Sequence, residues 1–281
     1  MHIAAHPYLC VFSPLLTMPD SSWEFLAIKL ITVPIFIWVI STVARKWGHS
    51  VGGIILGLPL TSGPVLFFLA LEQGNAFASK TALGTLMGMI PLAASCLVFS
   101  LISFRTNWPA CLITSFSTFF VLTFILNYVS LPPLELLVAV LTFLAITRNL
   151  FPIGSVGKIS HKPPVWEIPA RAISATALVL LITGGATMLG PHLSGLLTPF
   201  PIYATILGVF TLKFEGASAS ALFLRGVITG CMTTAIFQFM ISTFITQLGA
   251  VYVMAYAGLV VLLTHSLLLY VFGRDRHHKS R

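Results

Sequence analysis

The sequence predicts an all-α polytopic membrane protein. About nine transmembrane helices are expected in two inverted-topology repeats of five and four, with the second helix of each repeat broken. Three observations lead there. The 281-residue chain is 57% hydrophobic and 8% charged, with a mean hydropathy of +0.99, whereas soluble domains carry about 25% charged residues. Apolar runs of spanning length recur along it. Two of these runs hold prolines and glycines at corresponding places, a poor filling for a continuous helix.

The elements follow in order. Residues 1–22 are a lead-in broken by Pro7, Pro14 and Pro19; they lack Lys and Arg, make a poor signal peptide, and contain Met18 as an alternative start. The first repeat covers 23–151. Its spans are expected at about Phe25–Ala44, Gly52–Leu71, Phe77–Phe104, Ala110–Val129 and Leu134–Leu150. Arg45-Lys46-Trp47 closes the first span and the "SLPP" turn closes the fourth. Residues 152–165 form a polar linker. The second repeat, 166–272, is expected to span at about Ile168–Met188, Pro191–Leu212, Ala217–Thr246 and Ala250–Phe272. Residues 273–281 are a basic tail.

The repeat rests on three landmarks in the same order. Trp23-Glu24 and Trp166-Glu167 each open a span and are followed by a base, Lys29 or Arg171. Gly53, Leu56, Leu60, Thr61 and Pro64 match Gly190, Leu193, Leu197, Thr198 and Pro201 at one constant separation. Gly74, Gly84 and Gly88 match Gly216, Gly226 and Gly230 at another, with Glu72 and Glu215 just before them. Five crossings are odd in number, so the second copy enters the membrane from the opposite side. In architecture alone this resembles several transporter folds, including the drug/metabolite and bile-acid groups.

The breaks are the candidate site. Irregular backbone survives in hydrocarbon only when buried in protein or lining a wet cavity. Two inverted breaks meeting near the midplane would offer free carbonyls and half-helix N-termini to a solute. The residues expected to bind it are Pro59, Thr61, Ser62, Gly63, Pro64, Thr198, Pro199, Pro201 and Tyr203, with Arg225 as a cation inside the eighth span. Glu72, Lys80, Glu215 and His265 are the candidate gating or coupling groups, His265 because an imidazole can carry a proton near neutral pH. Gly84-x-x-x-Gly88 and Gly226-x-x-x-Gly230 are read as helix-packing motifs. The competing structural reading is a pair of kinked helices whose Ser and Thr hydroxyls bond back to the freed carbonyls.

Lys and Arg set the orientation. If every span crosses, one side receives Arg45, Lys46, Arg105, Arg148, Lys158, Lys162, Arg171, Lys213 and the tail; the other receives Lys29 and Lys80. Re-entrant hairpins at the breaks would abolish this asymmetry. The expected location is a bacterial cytoplasmic (inner) membrane, N-terminus outside and C-terminus inside.

The net charge of +8 then serves anionic lipid headgroups rather than nucleic acid. The four cysteines lie scattered in apolar runs, so no disulfide framework or metal site is expected. No cofactor motif, ATP-binding loop or hydrolase motif occurs, and no enzymatic activity is expected. The expected function is secondary transport of a small solute by alternating access, with Arg225 and Lys80 tilting the choice towards an organic or anionic one. The runner-up is a non-transporting membrane assembly or lipid-interacting protein. A homodimer is compatible with either.

Overall fold

The computed structural model describes residues 21–59, 62–152, 166, 168–174, 176–177 and 199–274, and every regular element among them is an α-helix. The helices are α1 (Ser21–Trp47), α2 (His49–Leu56), α3 (Ser62–Gln73), α4 (Asn75–Ser103), α5 (Trp108–Leu126), α6 (Pro133–Leu150), α7 (Ile202–Glu215), α8 (Ala217–Leu248) and α9 (Ala250–Arg274). Residues 168–174 are helical as well. Five of these helices, namely α4, α5, α6, α8 and α9, are long and apolar enough to cross a bilayer. The chain is thus an α-helical membrane protein. The lead-in, most of the linker, the tail, most of the sixth expected span and the first eight residues of the seventh lie outside the described residues.

Two helices make the core. α8 packs against α2, α4, α6, α7 and α9, and α4 packs against α3, α5, α6 and α8. Both are rich in Gly, Ala, Ser and Thr, which let backbones approach where no hydrophobic force drives helices together in lipid. α5, α6 and α9 instead expose Phe124, Val138, Ile146, Leu259 and Leu263, as lipid-facing helices do.

The helices alternate in direction. Ser79 Oγ on α4 donates to the Ser242 carbonyl on α8 at 2.6 Å. At the other end of the pair, Phe99 and Leu224 face the same residue, Gly208, so α4 and α8 are antiparallel. Ser115 Oγ on α5 donates to the Ser95 carbonyl on α4 at 3.1 Å. His49 at the start of α2 pairs with Glu215 at the end of α7, Nε2 to Oε2, at 2.8 Å. One end of the bundle therefore gathers Arg45, Lys46, Arg105, Arg148 and Lys213. Arg171 is close by, 3.5 Å from Ser41 Oγ and 5.6 Å above the Phe210 ring. Lys80 stands exposed at the opposite end.

Four joints consist of one glycine each. Gly48, Gly74, Gly216 and Gly249 separate consecutive helices with φ between 82° and 93° and ψ between 159° and 171°. That region is open essentially to glycine alone.

Candidate functional site

α2 and α3 follow one another along the bundle with an interruption between them. α2 stops at Leu56, where Gly57 and Leu58 turn back to bond Gly53, Ile54 and Ile55 at 3.1 Å. Pro59 then supplies no N–H to continue the ladder. The chain restarts at Ser62, with the Gly63 N–H donating to the Pro59 carbonyl at 2.9 Å. Pro64 falls in the first turn of α3, where its missing donor costs nothing. α2 begins at the basic end and α3 finishes beside the start of α4 at the opposite end, so this segment traverses the bundle instead of turning back.

The interruption is locked to α8 by glycine. A Cβ on Gly57 would fall 2.5 Å from the Gly230 Cα, and one on Gly53 would run into the Phe223 carbonyl. Cβ atoms on Gly226 or Gly230 would strike Ser50, Gly53, Ile54 and Gly57 in return. Thr234 Oγ1 donates to the Gly57 carbonyl, and Gly63 faces the Phe237 ring. Gly57 is therefore buried, while Leu58, Pro59, Ser62 and Gly63 are half-buried.

Where the sequence expects the second break, the chain is described from Pro199 onward. Phe200 is buried in an aromatic cage of Phe116, Phe119 and Phe120 on α5, with ring centroids at 4.9, 5.0 and 5.4 Å. α7 starts after Pro201, whose carbonyl accepts from Thr205 Oγ1. Tyr203 sits half-buried in the first turn of α7. Following the antiparallel pairs, Phe119 is level with Pro91 of α4, and Pro91 with Met232 of α8. The start of α7 and the interruption between α2 and α3 thus stand at roughly one height, near the middle of α8. The described contacts lead from the interruption to α8 and from Phe200 to α5.

Sequence reasoning could not say what the freed carbonyls bind. That of Gly57 is taken by the Thr234 hydroxyl, the accommodation expected of a packed kink; that of Pro201 is not freed, since it accepts the helical bond from the Thr205 N–H at 2.8 Å as well as the Thr205 hydroxyl. The other polar capacity near the first break belongs to side chains. Gln238 is wholly buried, and neither its Oε1 nor its Nε2 has a hydrogen-bond partner. His265 of α9 is buried, its Nδ1 lying 3.3 Å from Thr233 Oγ1 and its Nε2 unpartnered.

The remaining candidates are spread out. Arg225 is half-buried, and its Nε donates to the Arg148 carbonyl in the last turn of α6 at 3.2 Å; the Arg148 Nε donates to Thr229 Oγ1 at 3.0 Å. Arg225 thus joins α6 to α8, about 8 Å along α8, at 1.5 Å per residue, from Gly230, which packs on Gly57. Glu215, read from the sequence as a gating or coupling group, has a largely buried side chain held by His49. Gly84 and Gly88 are buried on α4. Leu60, Thr61 and Thr198 lie outside the described residues, as do the side chains of Pro64 and Glu72.

His49, Arg148 and Gln238 were missed. Gln238 carried a usable signal, a lone amide inside the apolar run "AIFQFMIS". His49 and Arg148 carried none, because their partners are remote in sequence. No family model, curated protein or solved structure matches the chain.

Proposed function

We propose that the protein is a secondary transporter, moving a small solute by alternating access through a site beside the interrupted second crossing. The observation that carries this reading is the break at Gly57–Ser62. It lies level with the middle of α8, packs on that helix through Gly57, and shares this stretch of α8 with polar side chains of unused hydrogen-bonding capacity. Irregular backbone at membrane depth is characteristic of transporter binding sites.

The inverted repeat belongs to the same proposal. Gly74 and Gly216, matched in sequence, are both single-residue joints of one conformation leading into the two central, antiparallel helices. The basic end faces the cytoplasm under the positive-inside rule. Arg225 and Lys80 lie to either side of the break along the bundle, so an anionic solute would meet a cation before and after it.

The test is counterflow in proteoliposomes with a panel of labelled organic acids, amino acids and polyols. Saturable exchange of at least one solute is expected. It should fall at least tenfold in Pro59→Ala, which lets the helix close across the gap. A well-folded sample that exchanges none of the panel would turn the balance to the non-transporting assembly.

A further inference from the structure

We infer that Arg225, braced by Arg148, forms a binding site for an oxyanion, a phosphate or a carboxylate, where α6 meets α8 at the basic end. The inference deepens the transporter reading by naming the chemical class of the cargo, and it rests on that reading only for the anion being cargo.

The two arginines hold one another in place. Arg148 Nε donates to Thr229 Oγ1 at 3.0 Å, and Thr229 Oγ1 donates in turn to the Arg225 carbonyl at 2.9 Å. Arg225 Nε donates back to the Arg148 carbonyl at 3.2 Å. This ring of bonds fixes both side chains on one seam and sets two positive charges within a side chain's length of each other. Glu215, the acidic residue described at this end, is engaged by His49.

The depth of the pair follows from α6. Its 18 residues rise about 27 Å at 1.5 Å per residue, close to the hydrocarbon thickness of about 30 Å. Arg148 stands in its last turn, where hydrocarbon gives way to headgroups and water. Arg225, bonded to it, is at the same level, so an ion reaches it without entering the apolar interior.

The donors are those the brace leaves over. A guanidinium carries five N–H donors in a planar fork, and the bond to α6 uses only the one at Nε. The donors on the two Nη atoms of Arg225 have no acceptor among the described residues. Arg225 is half-buried, and neither Nη is among the enclosed, unpartnered atoms of the interior. Capping α6 by one bond needs no fork, whereas a fork matches two oxygens of a carboxylate or phosphate at once. The Arg148 charge alongside favours the same ligand. A lipid headgroup and a dissolved anion both carry such a group, and both reach this level.

Stabilisation by ligand tests the site, since a ligand that binds only the folded form raises the unfolding midpoint. The purified protein in neutral detergent is titrated with sodium phosphate, sodium succinate and phosphatidylglycerol. Sodium chloride of equal ionic strength and phosphatidylcholine are the controls. At least one oxyanion is expected to raise the midpoint saturably and beyond its control. Arg225→Gln should weaken that binding at least tenfold, while Arg105→Gln, which removes an exposed cation at the same end, should leave it within about twofold. A response to phosphate or succinate assigns the site to a dissolved anion; a response to the lipid alone keeps the site, assigns it to a headgroup and removes the cargo. If Arg225→Gln does not fold, modification of Arg225 by phenylglyoxal in the native protein, read by peptide mass spectrometry, carries the test. The oxyanion should slow it at least fivefold, and an unchanged rate overturns the site. No response in the folded protein, or equal losses in the two variants, overturns the site even if counterflow is found. A saturable response that Arg225→Gln abolishes, without counterflow of any solute, keeps the site and removes the transporter reading.

Discussion

A glycine does its work at Gly230 by what it leaves out. Its missing Cβ is the space through which Ile54 and Gly57 reach the α8 backbone. A methyl there meets backbone atoms, which cannot rotate away, so the helices must separate. Gly230→Ala should cost about 1–3 kcal/mol as overpacking, read as a lowered midpoint of thermal unfolding in detergent. A Cβ on Gly258 of α9 would meet nothing within 4 Å, so Gly258→Ala should be neutral or stabilising by up to about 1 kcal/mol through helix propensity. Equal effects at the two positions would remove the steric account. The sequence made Gly226 and Gly230 legible as a packing motif, since their spacing alone aligns them on one face. It did not reveal that their partners are Gly53 and Gly57, because a spacing names a face and not what lies against it.

Elements were the most legible level. Proline, glycine and charge punctuate this chain so sharply that the ends of α4, α5, α6, α8 and α9 fall within a few residues of where the sequence places them. The interruption between α2 and α3 was readable for the same reason. Ties between elements were not. His49 and Glu215 hold the start of α2 to the end of α7, with side chains only 13% and 7% exposed. A double-mutant cycle of His49→Ala and Glu215→Ala should return a coupling of about 0.5–3 kcal/mol, and a value indistinguishable from zero would make the pair incidental. The joints make a separate prediction. Nothing within 4 Å would meet a Cβ on Gly216, yet its φ of 93° admits few other residues. Gly216→Ala should therefore destabilise by about 1–3 kcal/mol from backbone strain alone.

At the scale of the whole molecule, hydropathy says that the helices cross but not which of them are central, because lipid and protein interior are equally apolar. The abundance of small residues in α4 and α8 was the available clue. Sidedness was more accessible, since the Lys and Arg distribution needs only the order of the spans. It leads to a direct measurement. Cysteines in place of Lys80 and Arg105, probed with a membrane-impermeant maleimide, should label from outside in intact cells at position 80 and only after permeabilisation at position 105. The reverse pattern would invert the topology, and labelling of both from one side would refute the crossing of α4. The central place of α8 also has a bearing on biogenesis. The faces of α2, α4, α6 and α7 that rest on it are all synthesised before it. Until residues 217–248 leave the ribosome and insert, the earlier segments wait in the bilayer with their contact surfaces unmatched and the kinked crossing unsealed. Maturation is therefore gated by the late arrival of one helix, and a ribosome stalled before that point leaves a substrate for membrane proteolysis.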